Sequence, residues 1–184
     1  MIVLGIDPGS AVTGIGVVEH RDREIRLVSC KPLRPNARLP FEKRLLEIYD
    51  GLLEAIEDIK PDEVALEAVF FGRNAQTVMK MCHARGAIML SLAKSHLPIF
   101  EYSPREVKKG VVGRGGATKE QVEFMVRRML NLEDKPVIHD VTDALALALH
   151  HLNQRSGHEI PRSRRSSSSI SRSSHLAQGS LARR

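Results

Sequence analysis

Ile2-Val3-Leu4-Gly5-Ile6-Asp7-Pro8-Gly9-Ser10 is the stretch on which the reading of the fold turns. From Ile2 to Ile6 it is apolar on both faces, the pattern of a central β-strand buried on either side. It then stops abruptly at an acid and a Pro-Gly turn. A carboxylate at the edge of a buried element is costly to desolvate unless a cation or hydrogen bonds compensate it. The same oddity recurs twice. Glu67 closes the apolar run Glu63-Val64-Ala65-Leu66-Glu67, and Asp140 and Asp143 precede Ala144-Leu145-Ala146-Leu147-Ala148-Leu149, a helical segment of core character.

Each acid also has a plainer use. Asp7 could open a turn by accepting backbone amides, Asp140 could be an N-cap, and Asp143 could favour the helix dipole. Glu67 has the fewest such uses. Taken together, the four supply oxygen ligands without a competing Cys/His cluster, a set that suits Mg²⁺ or Mn²⁺ better than Zn²⁺. A spacing of three puts Asp140 and Asp143 on one helix face. Two such ions about 3.5–4 Å apart are a common device for cutting phosphodiesters. The residues therefore point to a metal-dependent nuclease.

With 184 residues, 42% of them hydrophobic, the chain suits one well-buried domain. No apolar run approaches the length of a membrane span, and the N-terminus lacks the layout of a secretory signal, so a cytoplasmic protein without membrane association is expected. Cys30 and Cys82 lie in apolar surroundings without metal-ligand spacing and read as core thiols. The net charge of +6 comes from one end: from residue 151 onward there are seven Arg and one Glu, and the remainder, with 21 basic and 21 acidic residues, is neutral. Local clusters are more informative. Lys31, Arg34, Arg38, Lys43 and Arg44 form one basic stretch; Arg105, Lys108, Lys109, Arg114, Lys119, Arg127 and Arg128 form another. Either could neutralise phosphates, and either could be a solvated mixed-charge surface.

Strands are expected at 2–7, 14–19, 24–30, 63–67 and 98–102, the second and third joined as a hairpin. Leu45, Tyr49, Leu52, Ile56 and Ile59 repeat at helical spacing before Pro61, and a second helix is expected at 74–95. The Gly- and Lys-rich segment 107–117 reads as mobile. Thr118-Lys119-Glu120-Gln121 resembles a capping box that starts another helix, and the last helix runs from His139 to about Leu152. The domain organisation expected is a nuclease domain over 1–154 and a disordered Ser/Arg-rich tail over 155–184, where almost nothing aliphatic is available to bury. The fold class is α/β: a five-stranded mixed sheet flanked by helices, with an antiparallel meander followed by helical crossovers. Asp7 and Glu67 fall at strand ends, where such sheets place their sites.

In order and spacing, Gly5-Ile6-Asp7-Pro8-Gly9, Glu67-Ala68-Val69-Phe70, Asn74-Ala75, Ala84-Arg85-Gly86, Val111-Val112-Gly113 and Asp143-Ala144-Leu145-Ala146 resemble the bacterial RuvC family of Holliday-junction resolvases. The resemblance spans roughly 1–155 and implies an RNase H-like fold. It also implies that Asp7, Glu67, Asp140 and Asp143 are catalytic and hold two Mg²⁺ per active site, with Mn²⁺ able to substitute. Phe70 matches an aromatic placed against an unpaired base, and Lys108 and Lys119 match basic positions near the phosphates. Arg73 joins them as a DNA-binding candidate, with His139, Lys109 and Arg114 as further candidates; His139 adjoins Asp140 and could exchange roles with it. The implied activity is paired symmetric nicking of four-way junction DNA by a homodimer in recombination and repair, leaving 5′-phosphate and 3′-hydroxyl ends. The implied partner is the RuvA–RuvB branch-migration complex. The helix at 74–95 is the candidate dimer interface, against the alternative that its apolar stripe packs internally.

Three other classes share parts of this pattern. The first loop also resembles that of actin/Hsp70-like nucleotide binders, but 184 residues leave little room for their second lobe. An RNase H-like RNA-processing nuclease would share the carboxylates. A catalytically silent junction binder would not require all four.

Overall fold

The computed structural model describes residues 1–68, 74–132 and 137–157. Five strands, β1 (Ile2–Asp7), β2 (Thr13–Arg21), β3 (Glu24–Leu33), β4 (Glu63–Glu67) and β5 (Ile99–Tyr102), form one sheet in the order β3-β2-β1-β4-β5. As expected, β1–β3 make an antiparallel meander, whereas β4 pairs parallel to β1 and β5 parallel to β4. The outermost strand, β3, is alternately exposed and carries a register irregularity opposite Val17 and Val18. Such a bulge blunts a sheet edge that could otherwise pair with another chain.

Side-chain alternation divides the sheet into two faces. Leu4, Ile6, Ile15, Val17, Val64 and Leu66 pack against α1 (Phe41–Ile59) and α2 (Ala75–Lys94). Val3, Val18 and Ala65 pack on the other face, under α3 (Pro104–Val112), α4 (Lys119–Met129) and α5 (His139–Ser156). Because the period is two, Asp7 shares the face of Val3 and Gly5, and Glu67 shares that of Ala65. Both acids therefore point to the α5 side.

The helices begin and end for local reasons. Lys60 closes α1 in the left-handed conformation, and Pro61 follows. The Asn74 side chain accepts the Thr77 N–H to cap α2. Thr118 and Gln121 form the expected capping box at α4. Segment 107–117 departs from expectation: most of it is α3, a regular helix that starts with a second capping box between Ser103 and Glu106 and has Pro104 in its first turn. Gly110 and the lysines gave that segment a loop-like composition, and burial of Val107 and Val111 overrides it. The final helix runs four residues beyond Leu152, to Ser156. Cys30 is half-buried, but Cys82 is exposed on α2, so its apolar neighbours in sequence do not make it a core thiol.

Candidate functional site

Two features bring the acids together. β1 and β4 are adjacent and parallel, with Ile6 beside Leu66, so Asp7 and Glu67 end neighbouring strands at the same edge. Helix α5 lies antiparallel to them on the same face, so its first turns meet that edge. Glycines make this seat possible. A Cβ on Gly5 would overlap the Ala144 carbonyl oxygen, one on Gly14 would overlap the Asp140 carbonyl oxygen, and one on Gly16 would lie 2.6 Å from the Leu145 nitrogen. Gly5 faces Gly16 across β1–β2, and Gly14 faces Asp7. The bare strands let the helix backbone rest directly on the sheet.

The resulting cleft, about 220 Å³, is lined by Asp7, Glu67 and Asp143 together with Lys108, Lys119, Pro104, Val107, Val122, Ala146 and Leu147. Burial, a hydrogen bond with Glu67 and the charges of Glu67, Asp143 and Asp140 push the Asp7 carboxyl up to about 9. At neutral pH without a cation, Asp7 thus keeps a proton. Burial also raises Asp143, against the opposing pull of Lys119, whose Nζ lies 3.4 Å from Asp143 Oδ2. The Asp143 charge in turn raises Lys119.

Asp140 does not line the cleft, although its charge reaches both Asp7 and Asp143. It sits inside the first turn of α5; the cap residue is Ile138, which makes no side-chain capping bond, so the plain N-cap role is absent. Asp7 is likewise no turn former: the Gly9 N–H reaches Thr13 Oγ1 (3.5 Å), which donates back to the Gly9 carbonyl (2.9 Å). His139 is 79% exposed and pairs with Glu123 at 2.9 Å, away from the cleft. Lys109 and Arg114 are exposed and are not among the lining residues. Phe70 and Arg73 lie outside the described residues.

Sequence reading passed over several contributors. Gly5, Gly14 and Gly16 seat α5, and glycine inside an apolar strand was the available signal, since it marks close backbone approach. Thr13 ties the loop that follows Asp7, helped by Arg44, whose guanidinium donates to the Ser10 carbonyl. Arg85 Nε reaches the Glu67 carbonyl from the opposite face of the sheet (3.4 Å).

Among the described residues, no three Asp, Glu, His or Cys side chains close into a ready-made ligand group. The carboxylates stand apart: Asp7 is hydrogen-bonded with Glu67, and Asp143 is paired with the Lys119 ammonium instead. Their chemistry nonetheless fits a hard divalent cation. All are carboxylates, and the burial and neighbouring like charges that raise Asp7 are costs that such a cation relieves.

A family model described as crossover junction endodeoxyribonuclease RuvC matches residues 3–151. The chain is 53% identical over 150 residues to a protein of that name from Chlorobium phaeovibrioides, covering 81% of this chain and 79% of the relative. It is 44% identical over 151 residues to its counterpart in Desulforamulus reducens, covering 82% and 93%. Thermus thermophilus RuvC, solved in complex with a Holliday junction substrate, superposes with a TM-score of 0.78 at 34% identity, over 85% of this chain and 96% of that one. The yeast mitochondrial resolvase Ydc2 shares the fold, with a TM-score of 0.63 at 12% identity over 84% of this chain and 78% of that one.

Proposed function

Since the chain belongs to the RuvC family of crossover junction endodeoxyribonucleases, we propose that it resolves four-way DNA junctions by paired symmetric nicks, with Asp7, Glu67, Asp140 and Asp143 as its catalytic, metal-holding acids. It is an RNase H-like, divalent-metal-dependent nuclease of Holliday junctions. The observation that carries the residue assignment is the pairing of Asp7 with Glu67 at one sheet edge, in the same cleft as Asp143, Lys108 and Lys119.

The metal complement proposed is two Mg²⁺, with Mn²⁺ as a substitute. When bound, such ions make water a stronger nucleophile at neutral pH and stabilise the leaving 3′-oxygen. The protein's own residues set the stage. Asp7, held on a central strand, would be the most rigid ligand and would give up its proton to hold a cation. Asp143 would hold the cation in place of Lys119, which would leave Lys119 with Lys108 to face the phosphate and offset the charge that develops there. The N-terminal end of α5 adds a favourable dipole beside the same anionic group.

A four-way junction offers two equivalent strands, which suits a two-fold dimer. The proposed contact is α2, where Met79 and Leu90 are 58% and 62% exposed while Ala84, Ile88 and Leu92 face the core. Phe70 is proposed to stack on an unpaired base and Arg73 to contact DNA, and family kinship suggests RuvA–RuvB as partners. The chromosomal substrate implies a cytoplasmic enzyme; among the described residues no helix is long and apolar enough to cross a membrane. The nuclease domain is assigned to 1–154 and the Ser/Arg tail to 155–184, with the helix ending at Ser156. Truncation after Gly157 should leave junction cleavage intact.

A denaturing-gel map of cuts on a synthetic mobile four-way junction in Mg²⁺, beside a matched linear duplex, tests the reading. Symmetric nicks in two opposed strands of the junction alone are expected. Binding without nicks in Mg²⁺ or Mn²⁺ would make the chain a silent junction binder.

A further inference from the structure

The peptide unit that joins Glu67 to Ala68 lies where the β4 ladder ends, yet both of its polar groups are held. The Ala68 N–H donates to the Tyr102 carbonyl at 2.9 Å, and the Glu67 carbonyl accepts from Arg85 Nε at 3.4 Å. Arg85 belongs to α2, so it approaches from the face of the sheet opposite the cleft. Its side chain is only 13% exposed, and Glu101 on β5 takes its far end at 2.5 Å. Met89, one turn along α2, receives the remaining nitrogen through its sulfur at 3.0 Å. Glu101 pairs in register with Leu66, immediately before Glu67. One guanidinium therefore spans α2, the last residue of β4 and the adjoining strand.

We infer that Arg85, clamped by Glu101, is a positioning residue for Glu67, fixing the main chain from which that carboxylate reaches the metal-holding cleft. The inference rests on the resolvase reading of the cleft. Among the described residues, the hydrogen bonds of Arg85 reach the lining of the cleft only at the Glu67 backbone carbonyl, so its effect runs through the placement of one ligand. Partners that orient a metal ligand in this way are typically worth ~10–100-fold in metal affinity or activity. The same side chain makes α2 mechanically continuous with the site, so a contact on the outer face of α2 would bear on Glu67 through it.

The test compares the wild-type protein with Arg85→Ala, Arg85→Lys and Glu101→Gln. Four quantities are read: Mn²⁺ affinity by calorimetry, single-turnover nicking of a saturating four-way junction in Mg²⁺, junction affinity in EDTA, and melting temperature. Arg85→Ala should lower Mn²⁺ affinity and nicking rate together, by ~10–100-fold, with junction affinity in EDTA within about twofold of wild type. Arg85→Lys keeps the charge toward Glu101 but lacks the fork, so it should fall between the two. Glu101→Gln should shift the same quantities in the same direction. Unchanged Mn²⁺ affinity and rate would overturn the inference, as would a rate lost only through weaker junction binding. If Arg85→Ala does not fold, the other two variants decide. A wild-type chain that binds Mn²⁺ but nicks no junction would overturn the resolvase reading instead, and the Mn²⁺ arm would still decide Arg85.

Discussion

Gly5 on β1 and Ala144 on α5 are in direct backbone apposition, with no room between them for a single methyl group. This contact sets the height of α5 above the sheet and hence the reach from Asp143 to Asp7. Gly5→Ala should force the helix outward. Overpacking of this kind costs about 1–3 kcal/mol, and the upper end applies because the obstacle is a carbonyl rather than a movable side chain. The expected outcome is a lower melting temperature and a nicking rate that falls further than the folded fraction does. Equal rates per folded molecule would show that the acids tolerate a displaced helix.

Asp7 makes the metal-free protein sensitive to pH. Its carboxyl sits at about 9 in the folded state, against an ordinary value of 3.8. Between those values the folded state holds more protons than the unfolded one, so stability falls as pH rises across that window. Asp7→Asn removes the titration and should abolish nicking while preserving junction binding. In EDTA, the melting temperature of wild type relative to Asp7→Asn should decline steadily from pH 5 to pH 9. Mg²⁺ should raise the wild-type melting temperature more at pH 8.5 than at pH 6, because loading must displace that proton. A difference between the two proteins that stays flat with pH would sink the assignment.

Lys119 is 72% exposed and its pair with Asp143 spans 3.4 Å, so Lys119→Met should change stability by no more than about 0.2–1 kcal/mol. Loss of its charge near the phosphate should nevertheless slow single-turnover nicking roughly tenfold or more. Junction affinity in EDTA, measured beside the rate, separates the two effects. A large fall in melting temperature with an unchanged rate would reverse this assignment.

At the other end of α5, His151 is fully buried between the Tyr102 hydroxyl (2.7 Å) and Glu63 (2.6 Å), while Arg155 also grips Glu63. Removing the ring by His151→Leu strands the part-buried Tyr102 hydroxyl, whereas Glu63 keeps Arg155, and should cost about 1–3 kcal/mol for the one group left unsatisfied. Arg155, with help from His151, holds the Glu63 carboxyl below its ordinary 4.5. Its stabilisation is therefore present above that value and lost as pH falls through the lower, folded one. Glu63→Gln should remove that part of the acid sensitivity in melts between pH 3 and pH 6. Nicking at neutral pH and low temperature should survive both changes, since neither residue lines the cleft.

By itself the sequence determined what short-range chemistry can write. Unbroken apolar runs defined β1 and β4, Pro61 stopped α1, Asn74 and Thr118 started α2 and α4, and an acid at the end of a buried strand singled out Asp7 and Glu67. Even the face those acids occupy follows from the two-residue period of a strand. Where local composition and packing disagreed, local reading failed. Gly110 and its lysines resemble a loop, yet Val107 and Val111 find a core and α3 forms. Cys82 has apolar neighbours in sequence but solvent in space.

Tertiary structure alone decided which acids meet. The strand order β1-β4 puts Asp7 beside Glu67 across sixty residues of chain, and no local preference encodes that order. The glycine seat under α5 aims Asp143 into the cleft and leaves Asp140 at its margin. His139, one residue away from Asp140 in sequence, is drawn off by Glu123. Arg85 reaches the Glu67 backbone through the thickness of the sheet edge. These relationships join residues far apart in the chain, and the free energy that selects them comes from packing whole elements face to face.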